Sequence, residues 1–213
     1  EYFIKNLALL MSYEDGIRVS QLKVRDMRFE RIRKDMQIRD DQIFEVVDYL
    51  KPEADEIYGI LPDVLVRPVL SFISAITRGR KGKPVTVTQK PVTTSFLGYL
   101  RIWLLSKLKF MRTVSYRYRN EHETIGLYLD TVEKYAKIDY QLGIDIAKTG
   151  SFIKGYGRVR RRTVDSFNRL ILNVLETTYE KEKSSSGGLA NTIKIFKSSS
   201  EIVAQEVDGI EKA

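Results

Sequence analysis

Apolar positions recur with helical spacing along most of this chain, and short polar or proline-bearing stretches separate them. Residues 2–36 read as helix, bent or broken once, with Ile4, Leu7, Ala8, Met11, Val19 and Leu22 near one face. Residues 37–41 are polar, and Asp40 or Asp41 could cap the next element. Residues 42–50 are short and apolar, and could be strand or helix. Pro52 suits a first helical turn. Pro62 and Pro68 divide 53–77 into two or three short helices. Residues 78–83, "RGRKGK", form a loop, and "PVTVTQKP" at 84–91 is an extended or edge segment at most.

The helical pattern returns at 94–110 through Phe96, Leu97, Leu100, Leu104 and Leu108. It continues at 112–137 with Ile125, Tyr128, Leu129, Val132, Tyr135 and Ala136 on one face. A short helix at 138–149 ends at Gly150, a natural C-terminal cap. Residues 158–180 are amphipathic through Val164, Phe167, Ile171, Val174 and Leu175. After the flexible "KSSSGG" comes a last helix at 191–211, weakly anchored by Ile193, Phe196, Ile202, Val203 and Val207. The expected fold is all-α: a multi-helix domain with long amphipathic helices and at most a minor extended segment. Its expected organisation is a helical domain over 1–182, a flexible linker over 183–189 and a C-terminal helix over 190–213.

Composition narrows the chemistry. The 213 residues are 43% hydrophobic, ample for a core, yet no apolar run approaches the roughly 18 residues that span a bilayer. The N-terminus lacks the charged, apolar and small-residue order of a secretory signal. With no cysteine, the chain offers no disulfide, thiolate zinc site, thiol nucleophile or iron–sulfur ligand. A cytoplasmic location is the expectation. Glu1 already lies in a helical pattern, so a piece of a longer protein is expected.

Charge is unevenly placed. Residues 64–120 contain no Asp or Glu but hold Arg67, Arg78, Arg80, Lys81, Lys83, Lys90, Arg101, Lys107, Lys109, Arg112, Arg117 and Arg119. That window carries +12 in a chain of net +8, leaving −4 elsewhere. Such asymmetry points to a negative counterpart, whether nucleic acid, an acidic partner or a phosphorylated cofactor, or else to solvated helix faces.

Candidate catalytic groups are few. His122 is the sole histidine, and Glu121 and Glu123 beside it point to different helical faces. Glu14 can pair with Arg18 one turn later. The tyrosines and Trp103 form no aromatic platform, and neither a P-loop nor a strand–GxGxxG–helix unit is present. The most suggestive stretch is "SFIKGYGRVRRRTVDSFNRL" at 151–170. Gly155 and Gly157 can let the chain reverse between two helices. Alternatively Lys154, Gly155, Gly157, Arg158, Arg161 and Arg162 form an anion- or partner-binding patch. In that reading Arg158, Arg161 and Arg162 lie about a turn apart beside the free N–H groups of a helix start.

Two ordered stretches carry a resemblance. One is "LALLMSYEDGIRVSQLKVRDMRFERIR" from Leu7; the other is "FIKGYGRVRRRTVDSFNRL" from Phe152. Between them, Asp48-Tyr49-Leu50-Lys51-Pro52 leads to Ile60-Leu61-Pro62. Over residues 7–179 the chain resembles the C-terminal part of the beta subunit of long-form indolepyruvate ferredoxin oxidoreductases. The resemblance implies a 2-oxoacid oxidoreductase α/β domain before Glu1. It implies an alpha subunit that holds thiamine diphosphate and the iron–sulfur clusters, with coenzyme A as cosubstrate. Arylpyruvates would be oxidatively decarboxylated and the electrons passed to ferredoxin. This segment would be a non-catalytic helical extension, serving assembly or the shaping of a partner or substrate surface. No family catalytic residue maps onto it. The alternative is a basic helical nucleic-acid-binding protein, although no recognised binding fold stands out, and neither membrane nor nucleic-acid partners are expected.

Overall fold

The computed structural model describes residues 1–13, 15–50, 52, 54–76, 88–184 and 189–212. Glu14, the loop at 78–83, most of the segment at 84–91 and the Ser-Gly part of the linker lie outside them. The helices are α1 (Tyr2–Met11), α2 (Gly16–Lys23), α3 (Asp26–Asp35), α4 (Ala54–Tyr58), α5 (Asp63–Ile76) and α6 (Phe96–Lys107). They continue with α7 (Tyr116–Ile138), α8 (Tyr140–Thr149), α9 (Gly157–Asn168), α10 (Thr177–Ser184) and α11 (Ala190–Lys212). Short 3-10 turns cover Leu108–Val114 and Gly150–Phe152, and a π-helical stretch, Arg169–Glu176, joins α9 to α10. The described residues are all-α, as expected.

The chain divides into two compact units, Glu1–Tyr13 with Glu121–Ala213, and Glu14–Asn120. The expected boundaries at 182 and 190 both fall inside the first of these units. The reason is that α11 is no appendage: Phe196 and Val207 are fully buried, and Phe196 belongs to the same core as Tyr128 and Phe167. Lys183 and Ser184 complete α10 rather than opening a linker. Glu182 then caps α11, accepting from the backbone N–H groups of Asn191 at 3.0 Å and Thr192 at 2.7 Å and from the Thr192 hydroxyl. Ile202, expected to anchor α11, is exposed.

The core of the first unit is built from α1, α7, α8, α9, the π stretch and α11. Ile125, Tyr128 and Tyr135 of α7 are buried, as their spacing predicts. They meet Leu142 and Ile146 of α8 and Phe167, Leu170, Ile171 and Leu175 further on. Phe167, Ile171 and Leu175 are spaced by four, which a helix wound more loosely than 3.6 residues per turn keeps on one face. Asn6 replaces an apolar residue on the buried side of α1, and its amide donates to the Ala147 carbonyl at 2.8 Å. Ile4 and Met11, expected on the inner face of α1, are exposed. Gly150 has an ordinary helical φ of −55°, so it is not a left-handed cap. It is glycine because a Cβ there would lie 2.9 Å from both Asn6 Cβ and Tyr128 Cε2.

The helix expected over 2–36, bent or broken once, is broken twice, before α2 and before α3. Asp15 caps α2 by accepting from the Arg18 N–H at 2.7 Å, and Arg112 donates to its other oxygen at 2.5 Å. No helix follows Asp40 or Asp41; residues 46–50 run extended and pair with 89–93 through isolated bridges. Pro62 separates α4 from α5, but Pro68 sits inside α5. It lies on the exposed side, where water can serve the carbonyl left without an N–H partner. The Asp48 carboxylate is buried among Lys23 at 2.5 Å, Arg28 at 2.9 and 3.0 Å and the Thr93 hydroxyl at 3.1 Å. Burial alone would raise its pKa; the bond and charge of Lys23, with Arg28 and Thr93, outweigh that and hold the carboxyl below its ordinary value.

Candidate functional site

The glycine joint lies where the sequence places it. Gly155 and Gly157 have φ of +73° and +54°, the left-handed region that glycine enters without steric cost. A Cβ on Gly155 would meet Val159 Cγ1 at 2.5 Å. Ile153 anchors the entering stretch of chain in the core, and Tyr156, between the glycines, is exposed rather than packed into the joint. Buried Thr163 staples the turn onto α9: its hydroxyl donates to the Lys154 carbonyl at 3.1 Å and accepts from the Lys154 N–H at 3.3 Å.

The arginines part company along α9. Arg158 and Arg162 are exposed and Arg161 is half-buried. Arg160, between them, turns inward and pairs with Glu121 of α7, Nε to Oε1 at 2.9 Å and Nη2 to Oε2 at 2.5 Å. Lys154 meets Asp208 of α11 at 3.3 Å, and Arg158 and Arg161 are also engaged by neighbours. Below them an open cleft of about 570 Å³ is lined by Arg162, Asp165, Asn168, Arg169, Leu172, Asn173 and Glu206. Arg169 crosses it to Glu206 at 3.1 Å. The cleft therefore balances two arginines against two carboxylates, so its charge selects no anion by itself.

The Arg160–Glu121 pair is a structural centre that sequence reasoning missed. The signal was available: Arg160 shares the helical face of Thr163 and Phe167, and Glu121 that of Ile125 and Tyr128. His122 next to it is exposed, with its ring edge-on to Tyr13 at 6.5 Å. Among the described residues no group of three His, Asp or Glu side chains is arranged to hold a metal ion.

The second unit presents a different kind of feature. Its buried apolar side chains among the described residues are Ile17, Val66 and Ile102. The α6 helix packs on α2 and buries Ile102 and Ser106; of the apolar set expected for it, Leu100 and Leu108 are half-buried. Phe96, Leu97 and Leu104 are 79%, 70% and 54% exposed. On α5, Val64, Leu65 and Val69 with Pro68 form a second outward stripe. Each such Leu, Val or Phe would contribute about 1.5–3 kcal/mol on full burial. Scattered exposed apolar residues are ordinary, whereas contiguous exposed apolar patches are the usual form of an interaction surface.

Fold and surfaces together define an all-α protein of two helical units. The chain belongs to a family of unknown function, DUF6537, whose model matches residues 1–172. No curated protein matches the chain. No solved structure matches it either. Among the described residues, no helix is long and apolar enough to cross a membrane.

Proposed function

We propose that this chain is a non-catalytic assembly domain of a 2-oxoacid:ferredoxin oxidoreductase beta subunit, acting on indolepyruvate or a related arylpyruvate. One observation carries the assembly role: among the described residues the second unit buries Ile17, Val66 and Ile102 but leaves the Val64, Leu65 and Val69 face of α5 and the Phe96, Leu97 and Leu104 face of α6 exposed. A domain that only had to fold would bury those faces; a domain that docks keeps them for its partner. The paired sequence stretches from Leu7 and Phe152 support the oxidoreductase context. In that context the alpha subunit holds thiamine diphosphate and the iron–sulfur clusters, coenzyme A is the cosubstrate, and ferredoxin takes the electrons in the cytoplasm. An α/β domain precedes Glu1. The cationic side of α9, with Lys154, Arg158, Arg161 and Arg162, supplies a second contact for an acidic partner patch or a coenzyme A phosphate.

The test is co-purification: the full-length subunit should bring down the thiamine-binding subunit, and the pair should reduce a viologen dye with indolepyruvate. A full-length protein that neither binds that subunit nor supports turnover would remove the oxidoreductase reading. The acid-free window at 64–120 favours a second reading, nucleic-acid binding. That reading requires submicromolar affinity for duplex DNA or RNA at about 150 mM salt, where non-specific binding gives only about 10⁻⁴ to 10⁻⁶ M.

A further inference from the structure

We infer that the outward face of α6 docks a folded protein surface whose apolar centre is bordered by Asp and Glu carboxylates; this rests on the assembly reading and specifies the partner's chemistry. The argument starts from register. Leu97, Arg101 and Leu104 are spaced by four and three, so they share one stripe of α6. All three are exposed, as are Lys107 and Lys109 at its C-terminal end. Among the described residues Arg101 and Lys109 meet no carboxylate, and the Lys107 ammonium rests on the Trp103 ring at 4.8 Å.

The same acid-free stretch separates the possible occupants. A second copy would bring this face against itself under two-fold symmetry, setting cation against cation with no acid in residues 64–120 to relieve them. Nucleic acid would satisfy the cations but leave the Phe96, Leu97 and Leu104 side chains without an apolar counterpart. A lipid surface suits helices that segregate charge from apolar residues. Here Arg101 interrupts the apolar stripe, so an acyl layer would bury a guanidinium. A protein surface alone offers a carboxylate to Arg101 within an otherwise apolar contact, and Arg and aromatic side chains are the usual anchors of such interfaces.

The experiment places a photoreactive benzoylphenylalanine at position 104 of the full-length protein in the cells that make it, and maps the adduct by peptide mass spectrometry. It is repeated with Arg101→Glu, Lys107→Glu and Lys109→Glu combined. The expected adduct falls in an apolar segment flanked by carboxylates on another protein, and its yield drops at least tenfold in the triple variant with helicity unchanged. Should the triple variant lose helicity, Arg101→Ala with Lys109→Ala is expected to reduce the yield at least threefold. An adduct of this kind on the thiamine-binding subunit upholds both readings. The same chemistry on a different protein upholds the docking inference and removes the oxidoreductase context. No adduct, an adduct within this chain, on a second copy, on nucleic acid or on lipid, or a yield indifferent to the charge changes overturns the inference.

Discussion

Arg160 and Glu121 meet through two hydrogen bonds across α9 and α7, with side chains only 10% and 7% exposed. The geometry is the fork-to-fork arrangement that makes arginine–carboxylate pairs strong and directional. It draws one arginine of the cationic cluster into the fold, while Arg161 is half-buried and Arg158 and Arg162 are exposed. A buried pair contributes little relative to an apolar replacement, yet removing one partner strands a charge in the interior.

Arg160→Met is therefore expected to cost about 3–5 kcal/mol in urea unfolding, because the buried Glu121 carboxylate loses both of its hydrogen bonds to the guanidinium. Arg160→Met combined with Glu121→Leu should recover most of that loss. If the double variant is as damaged as the single one, the two residues act separately and the pair is not the unit that matters.

Gly155→Ala and Gly157→Ala are each expected to destabilise by about 1 kcal/mol or more, since alanine at positive φ is strained. Gly126, in the middle of α7, has no atom within 4 Å of the place a Cβ would take. Gly126→Ala should stabilise by about 0.5–1 kcal/mol. Thermal melts of the three variants check both signs, and a stabilised Gly157→Ala would contradict the turn geometry.

Phe196→Ala is expected to cost about 3–5 kcal/mol, the range for truncating a buried aromatic residue. Removal of 190–213 should abolish cooperative unfolding of the first unit. A truncated chain that melts like the intact one would restore a separate C-terminal helix.

These outcomes trace the line between what the sequence discloses and what it withholds. The stripe Ile125, Tyr128 and Tyr135 was legible because burial and periodicity agree there, and the reversal at Gly155 and Gly157 was legible because few residues accept positive φ. The α6 face was not. Periodicity reveals that Phe96, Leu97 and Leu104 share an apolar region, but not whether this chain or another covers it. Asn6 on the inner side of α1 escaped notice because its partner, the Ala147 carbonyl, is 141 residues away. The division into two units was hidden for the same reason: Tyr13 and Glu121 fall in one unit although the whole second unit lies between them in sequence.

The Asp48 cluster predicts an acid limb. Its folded pKa lies below the ordinary value of 3.8, so its contribution is complete above that pH and is lost as pH falls through the folded value. Asp48→Asn should lower stability by about 1.5–3 kcal/mol at neutral pH, the worth of hydrogen bonds to a charged group. The difference from the wild type should shrink steadily below pH 3.8. A constant difference down to about pH 2 would mean that the side chain acts by packing rather than by charge.

The central claim is that the outward apolar face is kept for a partner subunit. Its most direct test is the affinity of the full-length protein for the thiamine-binding subunit, measured for the wild type and for Leu97→Asp with Leu104→Asp. Both residues are exposed, so circular dichroism and melting temperature should be unchanged. The account predicts at least a hundredfold loss of affinity in the double variant, about 2.7 kcal/mol. An affinity equal to that of the wild type would contradict it.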